Sequence, residues 1–418
     1  MVKPSVDRLH PFFPGSYSGF GDIHFYTSQM GTLKYSKMIA HNFVQVNRLW
    51  RSIAERFLYS ALYVREEWRV QKFIDTVKLN PHLAKLLRTL IIVPRARTRG
   101  VTEVCFGTLV EQVLSLCHGI NAIVTRPPML TNSLHLFQSL NSSRRLLLLS
   151  ALRLPNEEFL TFMINFNNYA SLQVLELSVT TISIYTFPTF PEHITFPSLR
   201  ALLLGYLDPL VVNVVGKWEL PSLKELSISQ WNPLISAPLL YLIQDSYERL
   251  VFFDTCVDLL HDPALHDIIR APPFRLRNVT LNIATSANSS PPMHPAIKPF
   301  FGHVVTLGIS NFGMTRPEYE PAWVRFFSDP TYIPHLRSVL TDVKASLLDI
   351  LCPFGEALED RGVAFKVMMD DGSSFVPTKR LQRGTLEVSA LLCCNNGLML
   401  ISSPASICSP WELRSVST

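Results

Sequence analysis

Apolar residues return along this chain in a fixed local register. The stretches "SLQVLELSV", "SLRALLLGY" and "SLKELSISQ" each carry Leu-x-x-Leu-x-Leu or its isoleucine variant: Leu172, Leu175, Leu177; Leu199, Leu202, Leu204; Leu223, Leu226, Ile228. The last two apolar positions of each unit are separated by one residue of the other face, as in a strand with one face buried. The first anchors the turn into that strand. Pro197-Ser198 and Pro221-Ser222 precede two of the units and stop whatever runs before them. The same register extends outward through Leu87, Leu90, Ile92; Leu149, Leu152, Leu154; Leu276, Val279, Leu281; and Val304, Leu307, Ile309, with weaker units starting at Ile120, Leu250 and Leu336.

The first anchors recur at intervals of about 23 to 33 residues, close to the period of roughly 20–29 that marks a leucine-rich repeat. Several returns between them read as helices. "TEVCFGTLVEQVLSLCHGI" places Phe106, Leu109, Val110, Val113, Leu114 and Cys117 on one face, with Gly119 as a candidate stop. "NEEFLTFMINFNNYA" opens with Asn156 as a cap and two acids in the first turn. "DPALHDIIRAP" and "RPEYEPAWVRFFSDP" are shorter candidates. Strand and helix alternating at this period predict an α/β solenoid: a curved parallel sheet with helices outside, irregular and leucine-rich-repeat-like. An ordinary doubly wound α/β sheet shares the alternation. The even spacing and the recurring register favour the solenoid.

Ahead of the repeats, "VNRLWRSIAERFLYSALYV" sets Val46, Leu49, Trp50, Ile53, Phe57, Leu58 and Leu62 at helical spacing, which predicts one helix over 46–64. "REEWRVQKFIDTVKLN" predicts a second, with a stripe of Trp68 or Val70, Phe73, Ile74 and Val77, ended by Asn80-Pro81. Two such helices would close the end of the solenoid core.

Composition narrows the function classes. The chain has 418 residues, 47% apolar and only 17% charged, enough to bury a large core. Its net charge of +5 is small, and Lys and Arg are scattered along the sequence rather than striped, which speaks against a dedicated nucleic-acid surface. The 30 prolines and 17 glycines suit a chain that often stops its elements but needs few left-handed turns. Seven cysteines, with no Cys-x-x-Cys pair, read as buried thiols of a reducing compartment. No secretory h-region and no membrane-length apolar run is present, so a cytoplasmic or nuclear setting is expected.

Candidate chemistry is sparse. In "HDPALHD", His261 and His266 are five apart and have no third ligand cluster near them in sequence, so the motif reads as a capped surface turn rather than a metal site. "GSYSGFG" lacks the Lys-Ser/Thr of a phosphate cradle. No nucleophile motif or carboxylate pair stands out, and the expectation is a protein that is not an enzyme and uses no cofactor or metal.

The segment 46–64 resembles the second half of an F-box, in which a Val-Cys-x-x-Trp core is followed by Arg, a small-apolar pair and Leu-Leu-Tyr or Leu-Trp. Val46, Trp50, Arg51, Ile53-Ala54 and Phe57-Leu58-Tyr59 stand in those places. "FIDTVKLNPHLAKLLRTLII" is similar to the linker that joins F-box to repeats in the large F-box families of mushroom-forming fungi. The order of parts covers about 43–370. Two departures are plain: Asn47 replaces the Cys, and residues 1–42 hold nothing like the Leu-Pro-x-Glu-Leu-Leu opening of the motif. The resemblance implies a substrate-recognition subunit of a Skp–cullin–F-box ubiquitin ligase. Its adaptor contacts would be Val46, Leu49, Trp50, Ile53 and Leu58, and its repeats would hold a target protein. The alternative is a repeat-only scaffold without adaptor binding. The expected organisation is an atypical N-terminus over 1–42, a partial F-box-like helical segment over 43–80, the degenerate solenoid over 81–377 and an irregular tail over 378–418.

Overall fold

The structure is a computed structural model and describes residues 53–56, 58–64, 66–92, 103–125, 148–154, 170–179, 194–207, 209–228, 236–269, 276–283, 290–310, 319–342, 352–368, 374–375, 390–394 and 397–401. Its centre is one sheet of 13 strands. In sheet order these are β1 (Ala61–Val64), β2 (Thr89–Ile92), β3 (Ala122–Thr125), β4 (Leu148–Leu154), β5 (Val174–Val179), β7 (Ala201–Leu207), β9 (Glu225–Ile228), β10 (Phe252–Cys256), β11 (Asn278–Asn282), β12 (Thr306–Ser310), β13 (Ser338–Asp342), β14 (Ala364–Met368) and β15 (Ser374–Phe375). Every pair is parallel except β14–β15, which is antiparallel. The short β6 (Ile194–Thr195) and β8 (Trp218–Glu219) pair with each other beside it. The order follows the chain and never reverses, so there is no switch point and the doubly wound alternative falls away. This is the α/β solenoid the repeats predict.

The repeat register sets the packing. Leu90, Ile123, Leu149, Leu175, Leu202, Leu226, Phe253, Val279, Leu307, Val339 and Phe365 fall on one line across neighbouring strands. Leu175, Leu202, Leu226, Val279 and Leu307 are fully buried, as are the turn anchors Leu87, Leu172, Leu199, Leu223, Leu276 and Val304. They share one core with the helices. Those helices are α1 (Glu67–Leu79), α2 (Glu103–Leu116), α3 (Pro209–Val215), α4 (Ser236–Ser246), α5 (Pro263–Ile269), α6 (Glu320–Ser328) and α7 (Cys352–Asp360). Toward the C-terminal end the core turns aromatic. Phe253 meets Phe300 at 5.8 Å, Phe301 meets Phe326 at 5.7 Å, Trp323 meets Phe326 at 5.7 Å and Phe327 meets Phe354 at 6.0 Å, each edge to face.

One hydrogen-bond motif repeats at the strand entries. The carbonyl of the residue before a strand accepts from two successive N–H groups of the next repeat, at 2.8–3.2 Å. Arg200 accepts from Lys224 and Glu225, Lys224 from Val251 and Phe252, Val251 from Arg277 and Asn278, Arg277 from Val305 and Thr306, and Val305 from Arg337 and Ser338. The residues before the strands are thereby held in one row along the rim of the sheet.

Several expectations are corrected. The single helix over 46–64 does not hold: residues 53–56 are helical, but Ala61–Val64 is β1, paired with β2. The sheet therefore starts inside the segment assigned to the F-box-like helices. A short apolar run satisfies both periodicities, and the free edge of β2 offers ladder bonds that decide for the strand. The unit read as Leu149, Leu152, Leu154 is shifted. Leu149 pairs with Ile123 and Leu175, in the middle position, and an irregularity follows before Leu152 meets Leu177. In α1 the stripe runs through Val70, Ile74 and Val77, while Trp68 is 60% exposed. Gly119 does not act as a left-handed stop; a Cβ there would lie 3.1 Å from the Leu87 carbonyl oxygen, a tight contact with fixed backbone. Gly362, with φ 69°, is the left-handed stop among the described residues, closing α7 before β14. Within the tail read as irregular, β16 (Ala390–Cys394) and β17 (Gly397–Ile401) form an antiparallel pair. Residues 1–42 lie outside the described residues.

Candidate interaction surface

With one face of the sheet committed to the helices, the candidate surface is the opposite face. Side chains alternate along each strand, so the residue between the two apolar strand positions of each repeat belongs to it. Its first part is apolar: Ala122, Val124, Val174, Ala201 and Leu203 cluster there, with Ile91 packed against them. Its later part is polar. Ser227, Asp254 and Thr280 stand on β9, β10 and β11 at matched register, followed by Gly308 on β12. A second row, Glu225, Phe252, Asn278, Thr306 and Ser338, runs beside it toward the strand entries. In that row Glu225, Asn278, Thr306 and Ser338 are only half-buried, and the Ser338 hydroxyl donates to Thr306 Oγ1 at 3.2 Å.

Asp254 is the electrostatic centre of the polar part. It is 6% exposed, and its Oδ2 accepts a 2.8 Å bond from the Ser227 hydroxyl. Burial pushes its carboxyl from 3.8 up to about 7, against the downward pull of the Ser227 bond. On its other side, Thr280 Oγ1 is buried without a hydrogen-bond partner. Among the described residues no imidazole is bonded to Ser227 or Asp254, so the pair lacks the base and orienting group of a nucleophilic site. The arrangement is a buried polar bond across β9 and β10 rather than an acyl-transfer constellation.

The motifs singled out in the sequence lie in the helical layer. His261 Nε2 sits 3.2 Å from the Ser290 carbonyl, and His266 Nε2 sits 3.0 Å from the Leu260 carbonyl. His266 is buried and stacks on His294 at 4.6 Å, so "HDPALHD" is not merely a surface turn. Its cap is real, with Asp262 Oδ1 accepting from Ala264 N at 2.9 Å. Among the described residues no group of three or more His, Cys, Asp or Glu is placed to hold a metal. Cys117 and Cys256 are buried, and burial pushes the Cys256 thiol up to about 12. No described helix is long and apolar enough to cross a membrane.

Of the residues suggested as adaptor contacts, Val46, Leu49 and Trp50 lie outside the described residues, while Ile53 and Leu58 are half-buried. Asp254, Ser227 and Thr280 escaped the sequence reading. The signal was present: each fills the middle place between two strand anchors, at Leu226-Ser227-Ile228, Phe253-Asp254-Thr255 and Val279-Thr280-Leu281.

No protein-family model matches the chain, and no curated protein matches it. Among solved structures, the leucine-rich repeat-containing protein LegL7 from Legionella pneumophila aligns at 12% identity and a TM-score of 0.40, over 77% of this chain and 93% of that one.

Proposed function

We propose that the chain is a non-enzymatic protein-interaction scaffold that holds a partner protein against the sheet face opposite the helices. The observation that carries this reading is the sheet itself. One face of 13 strands is spent on a continuous core, and the other presents ordered rows that no described helix occupies. The half-buried row is the place to test it. Thr306→Arg adds a long cation there without touching the core. A protein retained by the tagged wild-type chain should be lost from Thr306→Arg at unchanged melting temperature. Retention of every partner by a folded Thr306→Arg would defeat the reading.

A more specific reading attaches the scaffold, through residues 43–80, to the Skp-type adaptor of a cullin ubiquitin ligase in the cytoplasm or nucleus. What supports it is the order of parts. The F-box-like segment stands at the head of the sheet and contains β1; within it Ile53 and Leu58 remain half-buried and α1 exposes Trp68, with the Arg69 guanidinium 5.1 Å from its ring. Aromatic anchors carry much of an interface's energy, so Trp50→Ala should abolish adaptor pull-down while leaving the melting temperature nearly unchanged. If the wild-type chain fails to retain the adaptor, the ligase reading falls and the scaffold reading stands.

A further inference from the structure

Lysines and arginines that look scattered in the sequence are gathered by the fold. Arg200, Lys224, Arg277 and Arg337 each stand immediately before a strand, at β7, β9, β11 and β13. The carbonyls of Arg200, Lys224 and Arg277 each receive the paired N–H bonds of the next repeat, and those of Val251 and Val305 continue the row. All four basic residues are exposed, and no ion pair joins any of them to a carboxylate among the described residues. Between the cations stand Val251, 40% exposed, and Val305, half-buried.

We propose that this rim binds an acidic, extended segment of a partner protein. Neighbouring strands lie about 4.8 Å apart, so the row from Arg200 to Arg337 spans about 24 Å, the reach of some seven or eight extended residues. Lys224, Arg277 and Arg337 recur at every second strand, about 9.6 Å apart, close to three residues of an extended chain, so carboxylates at every third position with small apolar residues between them would meet successive cations. The rim row itself holds no aromatic residue on which bases could stack, which favours a peptide over single-stranded nucleic acid. Because the backbone of each rim residue is fixed by the paired bonds, the charges are pre-spaced, and binding need not order the loop that carries them.

The inference rests on the reading of the chain as a protein-binding scaffold, but it can fail alone, since charge reversal at Lys224 and Arg277 leaves the half-buried sheet-face row of Glu225, Asn278, Thr306 and Ser338 as it is. The experiment uses the full chain and a fluorescein-labelled glutamate–alanine peptide of about 16 residues, followed by anisotropy, with binding expected to weaken as salt rises from about 50 to about 300 mM. Lys224→Glu with Arg277→Glu should weaken it by about tenfold or more, while the same charge change at the exposed Lys72 and Lys78 of α1 should alter it less than about twofold. A melting temperature close to wild type checks the fold, and Arg277→Gln replaces the double variant if that variant does not fold. The proposal is overturned if the acidic peptide does not bind, if both double variants weaken it equally, or if a glutamine–alanine peptide binds as well. A thymidine oligonucleotide of the same length binding more tightly than the peptide also overturns it.

Discussion

Replacing Phe326 by alanine is expected to lower the stability of the fold by about 3–5 kcal/mol. The side chain is fully buried on α6, between the turn that carries Phe301 and the return that carries Tyr332. It contacts Phe301 and Trp323 edge to face, Phe327 at 5.7 Å and Tyr332 at 5.8 Å. Truncation loses the transfer energy of the ring and leaves a cavity whose other walls are rigid rings, which collapse poorly. The lost ring pairs are part of that total and push it toward its upper end. In a solenoid each repeat contacts only its neighbours, so the damage should be local. Hydrogen exchange should show lost protection across 290–368, while β2 to β5 keep theirs. Uniform loss along the whole sheet would mean that the repeats unfold as one unit. A loss below about 1 kcal/mol would mean that the aromatic packing does not hold the returns together.

How far such packing was legible depends on what each residue does. Leu175, Leu202, Leu226, Val279 and Leu307 could be placed from sequence, because every repeat must bury an anchor at the same height or leave a gap in a shared core. The unit near Leu149 could not. Four leucines run from Leu146 to Leu149, and any of them can take an anchor position, so only pairing with β3 and β5 chooses the register. β1 was hidden because Leu58 and Leu62 continue a helical spacing into a strand whose partner, β2, lies more than twenty residues on. The rim cations were hidden for a different reason. Repeats of unequal length scatter Arg200, Lys224, Arg277 and Arg337 along the chain, and only the ladder bonds bring them into one row. Asp254 drew no notice, since sequence does not reveal that Ser227 and Thr280, its neighbours on the two flanking strands, bring it no counter-charge.

Asp254→Asn is expected to stabilise the protein at alkaline pH and to leave it unchanged in acid. The folded chain holds the Asp254 proton with a pKa of about 7, against 3.8 for the ordinary side chain. The folded state therefore binds this proton more tightly than the unfolded state does, and stability falls as pH rises between those two values. Below about pH 4 both states are protonated and the group costs nothing; above about pH 7 both are ionised and the penalty is complete. A rise of that size corresponds to about 4 kcal/mol as an upper bound, because relaxation around a buried charge reduces it. Asparagine removes the charge at nearly constant shape. Its carbonyl can still accept from the Ser227 hydroxyl, and its amide offers a donor to Thr280 Oγ1, which is buried without a partner. Urea unfolding of both chains from pH 4 to pH 8 should give curves that coincide at the acid end and separate by roughly 2–4 kcal/mol at the other. Every other ionisable group is common to both chains and cancels in the difference. If the two curves stay parallel throughout, Asp254 is ionised at no cost in the folded protein, and a cation must reach it on the sheet face.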